Sequence, residues 1–207
     1  EVPITTGTLN RCFMTGSDVQ TFDGVLTPLE NKDLGNNGEQ PIIAAVNAFR
    51  RHLDKAGSYD LKIIVASTGE GGKTIEELSK NKETDSAGTV SNNLYHTNFL
   101  AALNSIKTAV GSNDLVASAR VWMQGEFNQK SSSSNTGGGI GVNDTQTITK
   151  TGYKSLLNTY INDTDADIKS IFGQNLTSLF YTYQTSAFFT APQINISQAQ
   201  FEIAKER

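Results

Sequence analysis

Val121-Trp122-Met123-Gln124-Gly125-Glu126-Phe127-Asn128 joins an apolar run to an amide, a glycine and a carboxylate. Leu115 to Met123 reads as a strand. Its polar ending, Gln-Gly-Glu, falls at the carboxyl edge, where open α/β sheets place their ligand crevices. Upstream, Leu61-Lys62-Ile63-Ile64-Val65-Ala66 is a β-branched run that stops at Ser67-Thr68-Gly69-Glu70-Gly71-Gly72, so it reads as a buried parallel strand feeding a glycine loop. A third strand is expected at Leu179 to Tyr183, with Gln184-Thr185-Ser186 at its carboxyl end.

Helix-length segments separate these strands. Ile42, Ile43, Val46, Phe49 and Leu53 form a helical stripe over Pro41–Lys55, with Pro41 suited to the first turn. Ser91 can cap a helix carrying Leu94, Phe99, Leu100, Leu103 and Ile106. Tyr153, Leu156, Leu157, Tyr160, Ile161, Ile168 and Ile171 mark a long helix that ends at Gly173, and Ile196 to Arg207 reads as a closing amphipathic helix. Residues 1–38 read mostly as loop, with a short strand at Arg11–Thr15, and Ser131–Ser134 and Gly137–Gly139 make Lys130 to Asn143 a mobile loop by composition. Strands alternating with helices predict right-handed crossovers and a parallel sheet covered on both faces, within one domain spanning 1–207.

Composition narrows the function. The 207 residues are 37% hydrophobic and 18% charged, enough for a sizeable core. A formal charge of −4 without a clustered Lys/Arg tract argues against nucleic acid as a partner. One cysteine, Cys12, excludes an internal disulfide framework and a cysteine-based zinc site, and two histidines leave little capacity for other metals. No apolar run reaches the roughly 18 residues of a membrane span, and the first residues given do not read as a basic-then-apolar signal peptide. The start at Glu1 and the end on Glu206-Arg207 suggest a piece of a longer polypeptide, truncated at both ends.

Two local patterns carry chemistry. Gly72-Lys73-Thr74, following a strand, nearly matches the phosphate-cradling Gly-x-x-x-x-Gly-Lys-Ser/Thr loop, although the first glycine fails. Four acidic residues from Glu70 to Glu83 would repel a triphosphate, and the bland reading is a strand-to-helix turn that needs glycine for its conformation. Gln124 and Glu126 are two residues apart, so on an extended strand end both would point into one crevice. Their bland reading is a strand end bonded to loop backbone. Trp122 reads as core, while His52, beside Arg50 and Arg51, and His96, near a helix start, read as structural. Ser17, in Gly16-Ser17-Asp18, reads as a loop serine.

Trp122-Met123-Gln124-Gly125-Glu126 resembles the Trp-x-Gln-Gly-Glu-x-Asp signature of carbohydrate O-acetylesterases with the SGNH-hydrolase fold, relatives of sialate and acetylxylan esterases, with Asn128 in place of the usual aspartate. Gly71-Gly72-Lys73-Thr74-Ile75 is similar to the Gly-Gly-Thr-Ser-Ile segment after their second strand, and Tyr181–Ser186 to their last strand. The resemblance implies a three-layer α/β/α, flavodoxin-like fold with a parallel sheet and a serine esterase acting on acetylated carbohydrate, without metal or cofactor. It further implies that Gly72, or its neighbour Gly71, and Gln124 line the oxyanion hole and that Glu126 buttresses the site or joins the triad. The family's Gly-Gln-Ser nucleophile and Asp-x-x-His segment have no counterpart here, so both are expected in flanking segments of the same protein, leaving the isolated chain inactive. Such domains occur in bacterial polysaccharide deacetylases and bacteriophage tail spikes, which implies an extracellular or virion-associated setting. Two alternatives stay open: a non-catalytic carbohydrate-binding or virion structural domain, and a P-loop-like nucleotide-binding domain.

Overall fold

The computed structural model describes residues 11–29, 41–58, 60–71, 73–80, 94–111, 114–126, 128, 149–185 and 195–207. These form a mixed α/β structure, 51% helical, with two small sheets, one mixed and one parallel. The backbone groups into two compact units: Glu1–Thr68 with Ala101–Asp114, and Gly69–Leu100 with Leu115–Arg207. The expected cap Ser91, the loop Lys130 to Asn143 and Gly72 lie outside the described residues.

In the first unit, strand β1 (Cys12–Thr15) is central. It pairs antiparallel with β2 (Leu26–Pro28) and parallel with β3 (Ile63–Ile64). Helix α1 (Pro41–Lys55) has the bounds its periodicity predicts, and α3 spans Ala101–Val110. Cys12, Met14, Val19, Leu29, Ile43, Val46 and Val65 form the core. The stripe of α1 differs from expectation at one position: Phe49 is exposed, and Arg50, 2% exposed, takes the inward place. The guanidinium is stable there because it satisfies groups that would otherwise lack partners. It donates to Leu61 O at 2.6 Å, Ser58 O at 2.8 Å and Asp54 Oδ1 at 2.7 Å. Strand β2 falls in the stretch expected to be loop; its three residues are too few to show an alternation.

In the second unit, β4 (Ala119–Trp122) and β5 (Leu179–Thr182) pair in parallel, with Trp122 opposite Thr182. Between them runs α4 (Lys150–Phe172), capped by Thr149, whose hydroxyl accepts from Gly152 N at 3.0 Å, and ended by Gly173 at φ 71°. Helix α5 (Asn195–Glu206) follows β5. A single-turn helix, α2 (Ile75–Leu78), and a π-helical segment, Tyr95–Leu100, complete the unit. Trp122 joins the core with Ile75, Tyr95, Tyr153, Leu157, Tyr160, Ile161, Ile196, Ala199 and Ile203, its ring 4.3 Å from that of Tyr160. Val121, Met123, Leu179 and Tyr181, the alternate residues, are exposed, because the strand side chains that join this core are Trp122 and Phe180. Both strands are also shorter than predicted: Leu115–Ser118 and Met123 lie outside β4, and Tyr183 lies outside β5.

Candidate functional site

The site is built from four segments of the second unit: the turn before α2, the residues after β4, the first turn of α4 and the middle of α5. Thr74 starts α2 with a capping box. Its hydroxyl accepts from Glu77 N, and the Glu77 carboxylate accepts from Thr74 N at 2.8 Å. Two of the helix's otherwise unpaired N–H groups are thereby satisfied. The N–H of Ile75 has a third partner, the side-chain oxygen of Asn128 at 2.9 Å.

Gln124 is the hub. Its Nε2 donates to Lys73 O at 3.1 Å and to Asn128 Oδ1, and its Oε1 accepts from Tyr153 Oη at 2.8 Å. The Gln124 carbonyl accepts from Gln200 Nε2 at 2.7 Å, and Gln200 Oε1 accepts from Thr185 N at 2.9 Å, so one side chain of α5 ties the ends of β4 and β5 together. Gln124 is 7% exposed, and every polar atom of its side chain has a partner. A buried amide so placed is held in one orientation, because releasing it would leave several buried groups unpaired.

Gly125 allows this closeness. At φ 141° it lies in the region that favours glycine, and a Cβ there would sit 3.0 Å from Gln200 Nε2 and from Ile196 Cγ2. The same residue separates the two side chains expected to point together. β4 ends at Trp122, and with Gly125 left-handed the strand alternation does not continue to position 126. Gln124 is buried and Glu126 is half-buried, with no hydrogen bond or ion pair among the described residues. The Glu126 charge is still felt by Tyr153, whose hydroxyl pKa is pushed up by burial first and then by Glu126 and Glu76.

The remaining expected site residues divide. Lys73 lends its carbonyl to Gln124, and its Nζ stands 3.4 Å from Glu77 Oε1. Ser17 follows β1 in the other unit, exposed, its hydroxyl donating to Thr21 Oγ1 at 3.4 Å. His52 and His96 are exposed. Among the described residues no group of His, Cys, Asp and Glu could hold a metal ion, and no helix is long and apolar enough to cross a membrane.

Sequence reasoning did not single out Glu76, Tyr153 or Gln200 for the site. Tyr153 was visible only as one member of a helical stripe, and Gln200 lies on α5, whose sequence carries no motif for a hydrogen bond to β4. Glu76 is the more legible case, because Thr74-Ile75-Glu76-Glu77 has the capping-box pattern that starts a helix and so places Glu76 in its first turn.

No protein-family model matches this chain, and no curated protein or solved structure matches it.

Proposed function

We propose that this chain forms part of a carbohydrate O-acetylesterase domain of the three-layer α/β/α, flavodoxin-like class, in which the turn at Gly71–Thr74 and the block at Trp122–Glu126 support the oxyanion of the acetyl ester's tetrahedral intermediate. One observation carries the reading. The two blocks that resemble the esterases are about fifty residues apart in sequence, yet they are hydrogen-bonded to each other through Gln124 Nε2 to Lys73 O and Asn128 Oδ1 to Ile75 N.

In the reaction, a serine hydroxyl attacks the acetyl carbonyl as a histidine takes its proton, and negative charge develops on the carbonyl oxygen. Preset backbone donors stabilise that charge. Both N–H groups of Gln124 already have acceptors in the protein, so its contribution runs through the carbonyl of Lys73, by holding in place the turn to which the resemblance assigns the oxyanion's backbone donor. Glu126 keeps a carboxylate available at the same edge.

The test is acetate release from acetylated glycan by the whole protein, with Gln124→Ala beside it. Loss of turn placement is expected to lower kcat by about 10²-fold with KM nearly constant. The 207-residue chain alone is expected to show no turnover of 4-nitrophenyl acetate above the uncatalysed rate. Turnover by that chain abolished in Ser17→Ala would make Ser17 the nucleophile, and a kcat for Gln124→Ala within about twofold of the parent would make the block structural.

A second reading, a non-catalytic carbohydrate-binding domain, is favoured by the saturated hydrogen bonding of Gln124. It predicts glycan binding without acetate release in the same assay.

A further inference from the structure

Glu76 is the second residue of α2 and is fully buried. Its Oε2 accepts from Asn128 Nδ2 at 3.0 Å, while Oε1 has no hydrogen-bond donor among the described residues. A carboxylate can only accept, and an amide has two unlike ends. With Nδ2 of Asn128 turned to Glu76, the end left over is Oδ1. That oxygen accepts from Ile75 N and from Gln124 Nε2. Gln124 then shows its nitrogen to Asn128 as well as to Lys73 O, which leaves its own oxygen for the hydroxyl of Tyr153.

The geometry points to Glu76 as a positioning residue that, acting through Asn128, sets the orientation of the Gln124 amide. Its bearing on catalysis rests on the esterase reading, whereas the orientation itself does not. The same hydrogen bond explains why position 128 carries an amide. An aspartate there would bring a carboxylate oxygen to the place of Nδ2, 3.0 Å from Glu76 Oε2. Two carboxylates so close cannot both ionise, and one would have to keep a proton. Glu76 and Asn128 are thus a matched acceptor and donor, and exchanging carboxylate and amide between them, Glu76→Gln together with Asn128→Asp, preserves the match with the same total charge. The charged and titratable groups nearby in the site are Lys73 and Glu77, an ion pair on the same turn and helix as Glu76, and Glu126, which together with Glu76 acts on the Tyr153 hydroxyl of α4.

The experiment compares the parent chain with Asn128→Asp and with the exchange variant Glu76→Gln/Asn128→Asp. The readouts are the melting temperature across pH and the Gln124 side-chain NH2 pair in 1H–15N spectra. In Asn128→Asp the folded state must retain a proton that the unfolded chain releases. The pair's pKa is raised on folding, so its stability is present at low pH and lost as pH rises. Between about pH 5 and about pH 8 the melting temperature of this variant is expected to fall roughly 5–10 °C further than that of the parent. The exchange variant is expected to regain the parent's pH slope and its Gln124 NH2 resonances. That rescue would not follow if the two residues merely filled space. A slope in Asn128→Asp parallel to the parent's, or an exchange variant no closer to the parent than the single variant, overturns the inference. Should Asn128→Asp fail to fold at the higher pH, the low-pH melt and the exchange variant still decide. Rescue in a whole protein that releases no acetate leaves the positioning role standing and removes the esterase reading. Turnover that Asn128→Asp leaves unchanged along with the pH slope removes the positioning role alone.

Discussion

Gly125 is the residue on which the polar centre of the second unit depends. The segment from Trp122 to Asn128 must leave the strand, turn the Gln124 amide inward and let Gln200 reach the Gln124 carbonyl, and its backbone does so at a φ of 141°. Gly125→Ala should destabilise the protein by roughly 1–3 kcal/mol, from the strained conformation and from contacts of 3.0 Å with Gln200 and Ile196. Chemical denaturation would measure it, and a loss under about 0.5 kcal/mol, the range of an ordinary surface change, would show that the backbone relaxes without cost. The glycine and its neighbours are plain in the sequence. Its partners are not, because Gln200 and Thr185 reach position 125 only once α5 has docked beside the end of β4.

At the scale of elements, α4 is held to both strands by Arg120. From β4 its guanidinium donates to Ile161 O at 2.8 Å, to the Thr164 hydroxyl and to Ser178 O at 3.0 Å, and it stands 3.4 Å from Asp165. Asp165 also pairs with Lys169 at 2.7 Å and accepts from Ser178 N at 3.2 Å. Burial pushes the Asp165 carboxyl up, but Lys169, the Ser178 N–H and Arg120 outweigh it and hold the pKa below the usual aspartate value. A depressed folded pKa contributes stability that is present above the unfolded value, near 3.9, and is lost as pH falls through the folded value. The melting temperature should therefore drop on acidification below about pH 4, and Asp165→Asn should remove part of that drop while lowering stability at neutral pH. An unchanged acid limb in Asp165→Asn would mean that other carboxylates govern it. The helices were legible in outline because apolar spacing at 3.6 residues needs no tertiary information, and α1 matches its predicted bounds. The inward place of Arg50 was not, since a charged residue is buried only where carbonyls such as Leu61 O and Ser58 O are brought to meet it.

For the whole molecule, the single thiol reports on stability. Cys12 lies fully buried in β1, burial pushes its pKa up, and the opposing charge of Arg50 is the smaller influence. A protonated, buried thiol is unreactive, so the native protein should react with a disulfide reagent such as Ellman's only through opening of the first unit's core, and at once in denaturant. Fast stoichiometric labelling of the native protein would show that this core opens readily.

The sequence by itself determined the α/β class, the helices α1, α4 and α5 in outline, the glycine that ends α4 and the place of Trp122 in a core. These follow from periodicity, β-branching and capping, which act between residues close along the chain. Only the tertiary structure decided that Gln124 is buried and Glu126 partly exposed, that Asn128 faces Glu76, and that the turn at Lys73 meets the end of β4. Those outcomes depend on pairing individual donors with individual acceptors across about fifty residues or more. No local pattern encodes such pairings, because each is settled by which buried polar groups would otherwise be left without a partner.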